Sequence, residues 1–409
     1  MGALDEQLMF LGQPSSSRWV NENFVIGDPL GSGTFGSVYS VECRRNPGTI
    51  YAMKELTRSS LPHFIETELR VLQRCGGSHN IIKMHAAHRE RDRVFIVMDY
   101  FEHTSIKEML ASLTTKEIID YMKNLLIALA YLHRKGIIHR DVKPSNFLYD
   151  RKRNRFALVD FGLCEDISKA GRGSYSRLRK SNAPRCVAKR ICVDVDDNRE
   201  NLENGTAKKH PLKTKDLSLQ CRCYGHATVC SICQKRPKLN VNKAGTPGFR
   251  APEILLKCSS QTATIDIWAA GITFLALLCR RHTVMRPADD MEALEQMATI
   301  FGTGPLRELA RKQGLSLITD LVYTGVDLIK FTKAVRDGLP EDSKIRGCPN
   351  CAKLFYKNEK GICLCKNNEE ESWRQLPPEE RQVYGVVVKC LIIDPDKRYT
   401  ADMLSSYFC

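Results

Sequence analysis

"HRDVKPSN", residues 139–146, decides how this chain is read. It sets a carboxylate at Asp141, an ammonium two residues on at Lys143 and a carboxamide five residues on at Asn146. "DFG" follows at residues 160–162 and adds the carboxylate of Asp160. Asp141 can accept or orient the proton of an attacking hydroxyl, and Lys143 can neutralise charge on a phosphoryl group in flight. Asn146 and Asp160 can hold a magnesium ion. Phosphoryl transfer needs such a set because its barrier falls through positioning and charge neutralisation. His139 and Arg140 read as structural members of the loop.

Working towards the N-terminus, "LGSGTFGSV" (residues 30–38) spaces Gly31, Gly33 and Gly36 as GxGxxG. Glycines in a hairpin are often only turn residues. Here they would let backbone amides approach phosphate oxygens with no β-carbon in the way. The run lies between two strand-like segments and not at a strand-to-helix junction, which argues against a dinucleotide fold. Lys54 in "YAMK" stands 18 residues after Gly36 on a further β-like run. A lysine placed to hold phosphates needs a carboxylate to fix it. Glu68, heading the apolar face of "ETELRVL", fits better than Glu66.

The patterning around these motifs changes once. Residues 24–97 are strand-rich, apart from helical spacing at Phe64, Leu69 and Leu72. Beyond Ser105 helices dominate. Thr114 and Glu117 make a capping box, and Ile118, Met122, Leu125, Leu129 and Leu132 recur at three- and four-residue steps. "IIHRDVKPSNFLY" and "RFALVDFGL" predict short β-pairs carrying a polar loop. "TIDIWAAGITFLALL" predicts a buried helix, "DDMEALEQMATIF" and "PLRELARKQG" amphipathic ones, and two more helices close the chain. The expected fold is α+β and bilobal: a disordered leader over residues 1–22, a β-rich lobe over 23–101 and a larger helical lobe over 102–409.

Gly31 to Val38, Lys54, Asp141, Asn146, Asp160 and "APE" (residues 251–253) together resemble the eukaryotic protein kinase family, over about residues 24–408. The resemblance implies that Leu30, Gly31, Ser32, Gly33, Thr34, Phe35, Gly36 and Val38 cover ATP. It implies that Lys54 and Glu68 pair over its phosphates. Met98 would be the gatekeeper, with Asp99, Tyr100 and Phe101 forming the hinge under the adenine. Asp266 in "DIWAAG" matches the buried aspartate that organises the family's catalytic loop, and Glu253 with Arg398 its structural ion pair. Lys143 marks the serine/threonine form of the loop. More narrowly, "HRDVKPSNFLY", "ALVDFGL", the CxC…CSIC cluster and "AGTPGFRAPEIL" resemble the cell-division-cycle kinases that fire replication origins, the catalytic half of the Dbf-four-dependent kinase. That implies a nuclear serine/threonine kinase with inserts in its C-lobe. It would be active only with a regulatory subunit of the Dbf-four type and would act on the minichromosome-maintenance helicase. It also implies that Lys243 and Arg250 flank a basic receptor for an acidic or phosphorylated residue just after the acceptor. The alternative is another acidophilic nuclear serine/threonine kinase with inserts.

Length and charge fit this reading. The chain has 409 residues, 43% hydrophobic and 27% charged, with a net charge of +15. Residues 167–243 hold 18 Lys plus Arg against 6 Asp plus Glu, so this segment carries +12 and the rest only +3. Nucleic acid, an acidic protein or an acidic substrate would each suit it, as would a solvated linker with nuclear-import signals. Between Gly162 and Ala251 lie 88 residues, whereas ordinary loops rarely exceed about 12–15. A basic insert is therefore expected over residues 164–243, and a second over 320–375.

Each insert carries cysteines at metal-ligand spacing. Cys221, Cys223, Cys230 and Cys233 form CxC and CxxC pairs six residues apart. Four thiolates close a coordination shell, so zinc there would be structural; His226 is a possible substitute ligand, and unligated thiols are the bland alternative. Cys348, Cys351, Cys363 and Cys365 repeat the pattern in reverse and depart from the family's. A bound subunit, with a zinc knot as fixed point, would order the long insert so that the helix bearing Glu68 reaches Lys54.

Other classes are disfavoured. The 17 cysteines, with no secretory signal, read as thiols or metal ligands and not as a disulfide framework. Gln7 stands about where a myristoylation motif wants Ser or Thr. The apolar run at residues 267–279 is shorter than the roughly 20 residues that span a bilayer. Direct DNA binding by the cysteine clusters, with an inert kinase scaffold, would need a recognition helix that follows neither cluster, and no catalytic position is lost.

Overall fold

The hairpin expected around the glycines forms. In a computed structural model, β1 (Phe24–Gly33) and β2 (Gly36–Cys43) pair antiparallel, with Gly33 opposite Gly36. The structure describes residues 17–33, 36–56, 62–167, 189–191, 245–258, 261–320, 322–337, 363–366 and 369–408. β3 (Ile50–Leu56), β4 (Met84–Glu90) and β5 (Arg93–Asp99) complete a five-stranded antiparallel sheet in the order β1-β2-β3-β5-β4. β5 is buried along nearly its whole length, because the sheet packs on both faces there. One face meets the helix Pro62–Cys75; the other meets a smaller cluster built on Val20, Phe24, Met53 and Phe95.

That smaller cluster corrects the predicted leader. Arg18–Asn23 is a helix, α1, capped by the Ser17 hydroxyl, with Val20 fully buried and Trp19 stacked on His88 at 4.4 Å. Six residues are too few to show helical periodicity, so its apolar anchors did not stand out from the polar residues before them. Ser17 also bonds Glu90 on β4, which fixes the entry of the chain.

The helix Pro62–Cys75, α2, buries Glu68, Val71, Leu72 and Cys75 on one face. Below the sheet come α3 (Ile106–Ser112) and α4 (Thr115–Arg134), the latter with the predicted capping box of Thr114 and Glu117. The short pairs also form: β6 (Ile137–Ile138) with β9 (Glu165–Asp166), and β7 (Phe147–Asp150) with β8 (Arg155–Leu158). β10 (Lys189–Ile191) runs parallel to β11 (Leu315–Leu317).

The helical lobe is built around α6 (Thr264–Leu278), which follows the short α5 (Pro252–Leu255). Every α6 residue from Ile265 to Leu278 is buried, so it is a core helix with apolar residues all round. Around it stand α7 (Asp290–Phe301), α8 (Thr303–Lys312), α9 (Leu328–Asp337), α10 (Glu369–Arg374), α11 (Pro378–Cys390) and α12 (Ala401–Ser405). Gly271 lets α11 approach: a β-carbon there would lie 2.6 Å from that of Cys390. Among the described residues no helix is long and apolar enough to cross a membrane.

Candidate active site

Lys54 and the carboxylates of Glu68 and Asp160 meet between the lobes. β3 carries Lys54 and α2 carries Glu68. Lys54 Nζ stands 2.6 Å from Glu68 Oε1 and 2.8 Å from Asp160 Oδ1. Burial works against the Lys54 charge, but the two carboxylates outweigh it and hold its pKa above lysine's usual range. Burial raises Glu68 despite Lys54, whereas Asp160 is pulled below the usual carboxylate range by the Lys54 ammonium, against its own burial. A bound subunit was expected to bring Glu68 to Lys54; the pair is already closed within this single chain.

Asp160 adopts φ +63° and Arg140 φ +71°, both in the left-handed region that side chains seldom visit. Each is held by neighbours. Phe161, after Asp160, is fully buried against His139 at a ring distance of 5.2 Å. Asp266, on the first turn of α6, accepts the backbone N–H groups of His139 (2.7 Å) and Arg140 (2.8 Å) and contacts His133 Nε2 at 2.9 Å. Those contacts hold its pKa low against complete burial. The sequence assigned Asp266 this organising role; His133 it did not single out, although it lies on the last turn of α4 six residues before the loop.

Asp141 is the centre of the loop. Its Oδ2 meets Lys143 Nζ at 2.8 Å and receives Asn146 Nδ2 at 3.0 Å. Its Oδ1 accepts the amide (3.0 Å) and the hydroxyl (2.6 Å) of Thr246. Lys143 Nζ also stands 2.8 Å from the Thr246 hydroxyl. A hydroxyl can therefore lie within hydrogen-bond reach of both the carboxylate and the ammonium, which is what a general base and a charge-neutralising lysine require.

The residues also fit a nucleotide and its cation. β-Carbons built at Gly31 and Gly33 would meet nothing within 4 Å, so the inner face of the hairpin is open. Gly36 is different. It has φ +148°, and a β-carbon there would fall 1.9 Å from the Glu55 carbonyl, so it must be glycine for the hairpin to pack. Asn146 commits its amide protons to Asp141, which leaves its oxygen, with Asp160, as the pair able to hold magnesium. That ion, bound to ATP, supplies charge neutralisation at the phosphates.

Leu30 is exposed on the hairpin, Ser32 and Val38 lie on its two strands, and Met98 is buried at the end of β5. Thr34 and Phe35 lie outside the described residues. Tyr100, expected in the hinge under the adenine, directly follows β5 and lines a cavity of about 650 Å³ with Ile50, Asn80, Asn124 and Arg155.

Of the substrate receptor, Lys243 lies outside the described residues. Arg250 is already engaged: Nη1 meets Asp290 Oδ1 at 2.6 Å, while Nε and Nη2 donate to the Gly245 carbonyl. The sequence missed Asp290 because it stands 40 residues further on, at the start of α7. Cys221, Cys223, Cys230, Cys233, Cys348 and Cys351 fall outside the described residues as well. Cys365 is packed in the lobe core and Cys363 at its edge. Among the described residues no three His, Cys, Asp or Glu side chains gather as a metal site.

With this geometry in hand, comparison with known proteins is decisive. The protein kinase domain model matches residues 24–190 and 214–408. A mouse cell division cycle 7-related protein kinase is 32% identical, over 94% of this chain and 90% of its own length. The chain belongs to the Cdc7-related protein kinases. The human cell division cycle 7-related kinase is 29% identical over 93% of the chain and 88% of its own length. The fission-yeast cell cycle serine/threonine-protein kinase hsk1 is also 29% identical, over 94% of the chain and 66% of its own length. This Cdc7-related kinase is thus a serine/threonine protein kinase, bilobal as the sequence implied, that uses ATP and magnesium.

Proposed function

We propose that this kinase phosphorylates serine or threonine next to an acidic or phosphorylated residue. We further propose that its substrates are subunits of the replicative helicase, and that it acts in the nucleus with an activating regulatory subunit. The placement of Arg250 carries the substrate reading. It sits four residues after Thr246, in the loop that touches Asp141, and a guanidinium there can fork onto a carboxylate or phosphate. Asp290 now holds that guanidinium, so an incoming acidic group must share or displace it. Lys243 would supply a second positive charge.

The cell-cycle names of the relatives support the helicase reading, as does the resemblance to the origin-firing kinases. The +12 segment supports nuclear import or an acidic partner. Fixing the backbone of each residue in so long an insert costs about 1–2 kcal/mol, which is the argument for a subunit that supplies a surface. Structural zinc on the two cysteine sets belongs to this reading on spacing alone, and metal content of the purified chain tests it. A peptide array tests the specificity. Acidic residues after the acceptor should raise turnover about ten- to a hundredfold, and Arg250→Ala should erase the difference. An unchanged preference in Arg250→Ala would assign the arginine to bracing the segment.

A further inference from the structure

β9 is two residues long and both are acidic. Successive side chains of a strand point to opposite sides, and these two reach different halves of the catalytic machinery. Glu165 pairs with Arg140, whose side chain is only 1% exposed. Arg140 Nη2 also donates to Gln261 Oε1 at 2.9 Å. Arg140 immediately precedes Asp141 and holds φ +71°, so its guanidinium contacts fix a strained backbone next to the general base. Asp166 faces the other way. Its Oδ2 stands 2.7 Å from Arg74 Nη1 on the last turn of α2, and Arg74 Nη2 donates to the Lys135 carbonyl at 3.3 Å. Arg74 follows Glu68 by six residues, about 9 Å along the same helix. The strand is itself anchored by pairing with β6, just before the catalytic loop, and by the Ile167 N–H to the Gly136 carbonyl at 2.8 Å.

We propose that Glu165 and Asp166 form an acidic clasp that positions both halves of the phosphoryl-transfer site. Glu165 acts through Arg140 on Asp141, and Asp166 acts through Arg74 on the helix that brings Glu68 to Lys54. Neither residue touches substrate or nucleotide; both are positioning residues. The two arms have separable signatures. Asp141 works on the transferred group, so loosening it lowers kcat. The Lys54–Glu68 pair orients the nucleotide phosphates, so loosening α2 raises KM for ATP.

The test uses the full-length chain with its activating subunit, if it requires one, and steady-state kinetics in Mg-ATP. Glu165→Gln keeps the shape and removes the charge; it should lower kcat by at least about tenfold with KM for ATP within about twofold of the parent. Asp166→Asn should raise KM for ATP about three- to tenfold with a smaller loss of kcat. The charge-swapped pair Arg74→Asp with Asp166→Arg should restore that KM, and the rise in KM with a smaller loss of kcat is the split a merely structural role would not give. If Glu165→Gln fails to fold, Gln261→Ala, which removes an acceptor of Arg140 Nη2, should lower kcat without changing KM for ATP. Unchanged kcat in a folded Glu165→Gln, or in Gln261→Ala when it stands in, overturns the Glu165 arm. Unchanged KM in Asp166→Asn, or no recovery in the swap, overturns the Asp166 arm.

Discussion

At the scale of single residues, the site depends on charges that burial alone would neutralise. Lys54 stays cationic because Glu68 and Asp160 flank it, and Asp160 stays anionic because Lys54 faces it. The signs bound the working pH. The folded pKa of Asp160 is lowered, so its contribution is complete above the ordinary carboxylate range and is lost as the solution is acidified through it. That of Lys54 is raised, so its contribution holds up to lysine's ordinary range and is lost only at higher alkalinity. Between these limits the pair should not titrate. Lys54→Met removes the cation and leaves Glu68 in a buried site that favours its protonated form. Turnover should fall by about two orders of magnitude or more while the fold is kept. A thermal melt within a few degrees of the parent, alongside lost transfer, is the expected pattern; near-parent turnover would contradict the role given to Lys54.

At the scale of elements, two contacts hold the helical lobe. The first is the head of α4, where Thr114 and Glu117 cap the helix and Arg151 binds the same carboxylate through Nη2 at 2.9 Å. Burial opposes the Glu117 charge, but Arg151 and the Thr114 donors hold its pKa at about 2. Because the folded value lies below the unfolded one, this stabilisation is full above about pH 4.5 and is lost as pH falls towards about 2. Glu117→Gln should cost about 1 kcal/mol in denaturant melts at pH 7, a cost that shrinks steadily as pH falls from about 4.5 towards about 2. A pH-independent cost would refute it.

The second contact is the Arg398–Glu253 pair, at 2.7 and 3.0 Å with both side chains essentially inaccessible. Removing one partner strands a buried charge. Arg398→Met should therefore cost about 3–5 kcal/mol in denaturant unfolding, and Arg398→Met with Glu253→Gln clearly less than the single change. Additive costs would show the charges to be uncoupled.

At the scale of the whole molecule, what the sequence could show was whatever is local. The capping box, the α4 face, the largely apolar α6 and the glycine hairpin each declare themselves within a few residues, and each forms. The Asp141, Lys143, Asn146 and Asp160 set was legible because one loop and the following strand turn carry it. The contacts that lock the set were not. Arg74 and Asp166 are 92 residues apart, His133 and Asp266 133 apart, and only the packed lobes bring them together. The short α1 helix escaped notice for the opposite reason, since six residues carry too little pattern. Arg250 was legible as a charge but not as a paired one, because Asp290 reaches it from the start of α7.

The central claim is that this chain transfers phosphate with Asp141 as its base and the Lys54–Glu68–Asp160 cluster as its phosphate clamp. The most direct measurement is transfer of labelled γ-phosphate from Mg-ATP to a serine peptide with an acidic following residue, run for the parent and Asp141→Asn beside a nucleotide-binding titration. The parent should phosphorylate the serine. Asp141→Asn should lose about 10²–10⁴-fold in rate with ATP affinity within about threefold of the parent. Near-parent transfer by Asp141→Asn would contradict the account.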